Sequence, residues 1–156
     1  MERNVAIANR IREVLLDGHW IANTNFKEQI LSVNWMQATQ KVGNLNTIAA
    51  LTFHISYYLK GLSDVFNGGK LEISDEFSFD VPEIQSEMDW NTLVDDFLSN
   101  SEKFVSLVEQ LPDSLLDQPF VVEKYGSYLR NIEGAIEHSY YHLGQISLIK
   151  KLISGF

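Results

Sequence analysis

Asn46-Thr47-Ile48-Ala49-Ala50-Leu51-Thr52-Phe53-His54-Ile55-Ser56-Tyr57-Tyr58-Leu59-Lys60-Gly61-Leu62-Ser63-Asp64-Val65-Phe66 is the stretch that decides the fold. Ile48, Leu51, Ile55, Tyr58, Leu59, Leu62 and Phe66 return every three or four residues, which is the period of a helix with one apolar stripe. A helix of this length spans about 30 Å and needs other long helices to cover its stripe. The sequence on either side supplies them. Asp89 to Leu111 turns Leu93, Phe97, Phe104, Leu107, Val108 and Leu111 to one side, with Asp89 as a candidate N-cap and Pro112 as the stop. Gly126 to Ile153 carries Leu129, Ile132, Ile136, Tyr140, Leu143, Ile146 and Ile153 at the same spacing. Towards the N-terminus, Asn4 to Leu16 places Val5, Ala8, Ile11, Leu15 and Leu16 on one face and ends at Gly18. Asn25 to Lys41, with Phe26, Ile30 and Val33, reads either as an independent helix or as a bent continuation, capped by Thr24 or Asn25.

Between these stretches the chain is punctuated by Pro82, Pro112, Pro119 and Asn67-Gly68-Gly69. The longest gap, Lys70 to Glu87, is acidic and irregular. Its alternating Leu71-Glu72-Ile73 and Phe77-Ser78-Phe79 suit a short strand or an extended loop. It is too long for a turn, so it is expected to pack on the bundle or join a partner. Strand signals are otherwise weak. The expectation is an all-α helical bundle with one longer irregular connection, a single domain over residues 1–156.

Composition narrows the function. The chain has no cysteine, which excludes a disulfide scaffold, a thiolate zinc site and a cysteine nucleophile. Twelve basic against 21 acidic residues leave a net charge of −9, so sequence-independent binding to nucleic-acid phosphates is not expected. No apolar run is long enough for a membrane span. The first ten residues lack the apolar core of a secretory signal, so the cytoplasm is the expected address. Nucleotide loops, nucleophile elbows and calcium-loop spacings are absent from the sequence.

The chemistry lies in the histidines. His138-Ser139-Tyr140-Tyr141-His142 places two imidazoles four residues apart, on one face of the last helix. Two rings so spaced can chelate one metal, although the glutamate of H-E-x-x-H is missing here. His54 lies in the apolar stretch of the Asn46–Phe66 helix. If that helix neighbours the last one, three imidazoles converge and leave a metal at least one open position. Such ligands suit zinc, nickel, copper or iron(II) rather than calcium or magnesium. Tyr58, one turn after His54, is a candidate to orient a substrate or a water. Tyr141 and Gln145 flank His142 and are further candidates for contacts with a substrate. His19, at a helix end, is left outside the site.

His54, followed far later by His138-x-x-x-His142-Leu143-Gly144-Gln145-Ile146, resembles the DinB-like superfamily of metal-binding helical bundles. The likeness covers nearly the whole chain. It implies a four-helix up-down-down-up bundle, often a homodimer, holding a divalent metal between His54, His138 and His142. It also implies a family context of thiol-dependent transferases that use bacillithiol or mycothiol, a thiol-dependent isomerase and metal-dependent hydrolases. Two mechanisms follow from such a site. A low-molecular-weight thiol can supply the nucleophile that this cysteine-free chain lacks, or a water can be activated for hydrolysis of a small-molecule substrate. The competing reading is a non-catalytic bundle that keeps its histidines for metal-dependent structure.

Overall fold

The computed structural model describes residues 2–155. It contains α1 (Arg3–Leu15), α2 (Phe26–Leu31), α3 (Trp35–Thr39), α4 (Ile48–Phe66), α5 (Glu87–Gln110), α6 (Asp113–Leu116) and α7 (Tyr128–Ser154). Strands are absent among the described residues, so the fold is all-α, as the periodicity indicates. The four long helices are α1, α4, α5 and α7. Helix α5 packs along both α1 and α4, and α7 packs against the same two from the other side. The first two long helices of the chain, α1 and α4, therefore lie diagonally across the bundle.

Each long helix buries most of its expected stripe, although Ile7 and Val14 are buried in α1 while Val5 and Leu16 are only partly so, and Leu107 of α5 is half-buried. Helix α1 turns Ile7, Ala8, Ile11, Val14 and Leu15 inward, and α5 turns Trp90, Leu93, Val94, Phe97, Phe104, Val105 and Val108. Phe97 is fully buried and stacks on Phe26 with ring centroids 5.0 Å apart. Burying a side chain of this size contributes about 1.5–3 kcal/mol. The Trp90 indole N–H donates to the Val33 carbonyl at 3.1 Å, so the one polar atom of a buried ring is satisfied.

Polar contacts fix how the helices meet. The Asn4 side chain donates to the carbonyls of Glu109 and Leu111 at 2.6 and 3.0 Å, tying the start of α1 to the end of α5. Asn100 on α5 donates to Ser56 on α4, and Lys103 on α5 lies 3.9 Å from Asp64 on α4. Phe66, at the end of α4, packs on Tyr128, at the start of α7.

Two local readings shift. Asn25 to Lys41 forms two short helices rather than one, because Asn34 starts α3 with its own capping box. Its side chain accepts from the Gln37 N–H, and the Gln37 side chain accepts from the Asn34 N–H. Helix α5 begins at Glu87, not at Asp89. Ser86 is the N-cap and accepts from the Asp89 N–H, while the Asp89 carboxylate accepts from the Ser86 hydroxyl and the Gln85 N–H.

The connection between α4 and α5 crosses back over α4. Residues 70–74 form no regular element, with Ser74 extended, and Asp75–Phe77 form one 3₁₀ turn. Gly61 makes the close approach to α4 feasible, since a Cβ there would lie 2.2 Å from Cγ2 of Ile73.

Candidate metal centre

His54 stands midway along α4, while His138 and His142 stand one turn apart on α7. Because α4 and α7 pack together, the three rings meet. The Nε2 atoms of His54 and His142 lie 3.1 and 2.9 Å from Nε2 of His138. The three ligand atoms all fall within 4.8 Å of one another. His54 and His142 are buried and His138 is half-buried.

The remaining ring nitrogens determine where the protons sit. Nδ1 of His54 lies 3.1 Å from the Ser78 carbonyl, which can only accept, so Nδ1 carries the hydrogen and Nε2 presents a lone pair. Nδ1 of His142 is likewise 2.6 Å from Oε1 of Gln145. Two lone pairs therefore point at His138 Nε2. A single proton on His138 serves one of them, whereas a cation serves all three nitrogens. Outer N–H groups held by a carbonyl and by an amide oxygen are what metal-ligating histidines ordinarily have. The three imidazoles thus form a cluster that can hold a metal ion. Its donor set suits a divalent transition metal, with three protein ligands and room for another.

Electrostatics point the same way. Burial, reinforced by the neighbouring His142 and His54, pushes the His138 imidazole down to about 4. Burial also lowers His54, against the raising effect of the Ser78 carbonyl, and lowers His142, against that of Gln145. All three favour the neutral form that a metal requires.

The α4–α5 connection forms the wall around His54. Phe79 stacks on the His54 ring, with centroids 4.0 Å apart and planes within 11°. The Tyr57 hydroxyl donates to the Ser74 carbonyl and accepts from the Ser74 N–H. The Tyr58 hydroxyl donates to the Asp75 carboxylate. Burial first, and then Asp75, push the Tyr58 phenol up to about 12, so it stays protonated and acts as a donor. The Tyr58 ring stands edge-on to both His54 and His138.

A cleft of about 370 Å³ opens beside His138 between α4 and α7, walled by Tyr58, Leu62, Leu71, Ile73, Asp75 and Phe120 and floored by α7. Tyr58 lines it and Gln145 holds His142. Tyr141 is 65% exposed, edge-on to His142, and does not line this cleft. His19 is exposed and distant in the chain from the cluster, with Nδ1 3.3 Å from the Asn23 carbonyl. Sequence reasoning missed Ser78, Phe79 and Asp75. The segment packs on the bundle, one of the two outcomes expected from its length, but a backbone carbonyl leaves no side-chain signature and nothing in the sequence placed these three residues at the histidines.

No helix among the described residues is long and apolar enough to cross a membrane. Comparison of the chain with protein-family models, with curated proteins and with solved structures finds no match.

Proposed function

We propose that the chain is a metal-dependent enzyme of the DinB-like kind, joining a low-molecular-weight thiol to a small electrophile held in the cleft beside His138. The observation that carries this reading is the convergence of three Nε2 atoms, two of them with their outer N–H groups already committed. When bound, a zinc, nickel or iron(II) ion supplies Lewis acidity, which favours the deprotonated thiol or water. The chain's own residues do the rest. His54, His138 and His142 hold the ion. Ser78 and Gln145 fix two of the rings, and Phe79 shields His54 from water. Tyr58, protonated and anchored on Asp75, orients the substrate from the cleft wall.

The DinB-like up-down-down-up course is supported by which ends meet. The start of α1 meets the end of α5, Asn100 and Lys103 follow Ser56 and Asp64 in the same order, and Phe66 meets Tyr128. The homodimer reading is supported by the outer face of α7. There Glu137, Tyr141, Gly144, Leu148 and Lys151 are exposed at alternating spacings of four and three. Glu137 and Lys151 are each seven residues from Gly144, so an antiparallel second copy would pair opposite charges across that face.

The test is elemental analysis of untagged protein beside His138→Ala/His142→Ala. Near-stoichiometric zinc, nickel or iron, lost in the variant, is expected, followed by metal-dependent consumption of a bacillithiol-type thiol with an electrophile. Failure to retain any of these metals would overturn the reading. Metal retention with ester cleavage but no thiol consumption would replace the transferase with a hydrolase, and retention with neither would leave a structural metal.

A further inference from the structure

The cleft beside His138 has a direction. On α7 its floor runs from His138 through Ala135 and Gly134 to Arg130, eight residues or about 12 Å of helix. Its middle is apolar, with Leu62, Leu71 and Ile73 facing two small residues. Its ends differ in charge. At the histidine end stands Asp75, whose carboxylate accepts the Tyr58 hydroxyl. At the far end stands Arg130, the one cation among the lining residues.

Two features of α7 make the far end unusual. Arg130 lies in the first turn of a 27-residue helix that has no acidic residue in that turn. A cation there opposes the helix dipole, which favours anions at this end. The helix terminus adds its partial positive charge to the Arg130 guanidinium, part of whose charge is offset by an exposed ion pair with Glu137. Glu137 accepts from one guanidinium nitrogen, Nη1, at 3.1 and 3.3 Å. The other two have no hydrogen-bond partner among the described residues. The second feature is Gly134. Glycine inside a helix costs about 1 kcal/mol relative to alanine, yet a Cβ at Gly134 would meet nothing within 4 Å. Packing does not demand the glycine, and its side of the helix opens into the cleft.

We infer that this cleft takes an elongated small molecule with an apolar body and a terminal carboxylate, seated with the carboxylate on Arg130 and the opposite end at the three histidines. Asp75 repels the carboxylate from the histidine end and so sets the orientation. The inference rests on the proposed reading of the histidines as the reacting end, but the Arg130 subsite can be tested without it.

The probes are hexanoate and its neutral analogue hexanamide, titrated into isotope-labelled protein with and without added zinc, following the backbone amides of residues 130–135. Wild type is expected to prefer hexanoate roughly ten-fold or more, as one charge-assisted contact provides. Arg130→Gln should abolish that preference while leaving hexanamide binding in place. Gly134→Leu should block both probes, and both variants should keep the zinc content of wild type. Equal binding of the two probes by wild type, or a preference that survives Arg130→Gln, would overturn the inference. Because Arg130 is exposed, its variant is not at risk of unfolding. Hexanoate preference that persists in metal-free His138→Ala/His142→Ala supports the subsite on its own. Loss of zinc binding in wild type would defeat the proposed function without touching this result.

Discussion

The two sides of α5 and α7 show how one bundle divides its work. Where α1 meets α5 the buried face is mostly apolar and is clamped by polar contacts. Asn4 and Asp113 exchange bonds with the opposite backbone, and Arg12 pairs with Glu109 at 2.8 Å. Where α4 meets α7 the same helical spacing delivers His54, His138 and His142 and then opens into a cleft. The first interface follows the usual pattern of an apolar stripe with its polar groups paired. The second departs from it, with imidazoles facing one another, a glycine in mid-helix and a cation at a helix start. Departures from local consistency are expected at functional sites, and here they coincide with the histidine cluster that can hold a metal.

The largest effect should come from the packed side. Phe97→Ala removes a fully buried ring and should cost about 3–5 kcal/mol, read as a lower urea midpoint, with the metal content of the folded protein unchanged. His138→Ala should do the reverse, removing the metal while costing far less stability. If Phe97→Ala abolished metal retention in folded protein, the two interfaces would not be separable in this way.

Next comes pH. In the metal-free protein the three histidines are lowered in the folded state, and His138 reaches about 4 against an ordinary 6.5. Between those values the unfolded chain binds more protons than the folded one. Stability is therefore complete above pH 6.5, falls as pH drops from there, and for His138 stops falling below about 4. Urea titrations at pH 8, 6 and 5 should show this decline, and His138→Ala should flatten it. An equally steep decline in the variant would assign the acid sensitivity elsewhere.

How far the sequence could be read follows the same division. The stripes of α1, α4, α5 and α7 were legible because burial imposes a period, and the histidine spacing was legible because a helix fixes which residues share a face. That α4 neighbours α7 was a condition of the reading, and the packing meets it. What stayed hidden depends on backbone atoms and on competition between caps. The Ser78 carbonyl that orients His54 has no residue-type signal. Asn34 with Gln37 outcompetes a continuous helix, and Ser86 captures the start of α5 three residues before Asp89.

A smaller effect separates a structural polar residue from a metal-supporting one. Gln145→Leu leaves the His142 ring in place but removes the acceptor for its Nδ1–H. Metal affinity should fall roughly 10- to 100-fold, as for other partners that orient a ligand, with the urea midpoint nearly constant. Competition with a chromophoric chelator reads this directly. Unchanged affinity would mean that His142 holds its orientation by packing alone.

The smallest change in stability belongs to the outer face of α7, which neither side of the comparison uses. Gly144→Cys places a Cβ where nothing lies within 4 Å, so the fold should be unaffected. The chain has no other cysteine, so any disulfide must join two copies. In an antiparallel pairing centred on Gly144, residue 144 meets itself, while residue 137 of one copy meets residue 151 of the other. Gly144→Cys should therefore crosslink on mild oxidation. Glu137→Cys should not, because the two copies of position 137 would sit about 21 Å apart along the helix axes. Crosslinking of both would indicate random encounters, and crosslinking of neither would remove the dimer from this face. Charge reversal closes the argument. Glu137→Lys alone should weaken association and Glu137→Lys/Lys151→Glu should restore it, an outcome that antiparallel pairing requires and a parallel or absent dimer does not give.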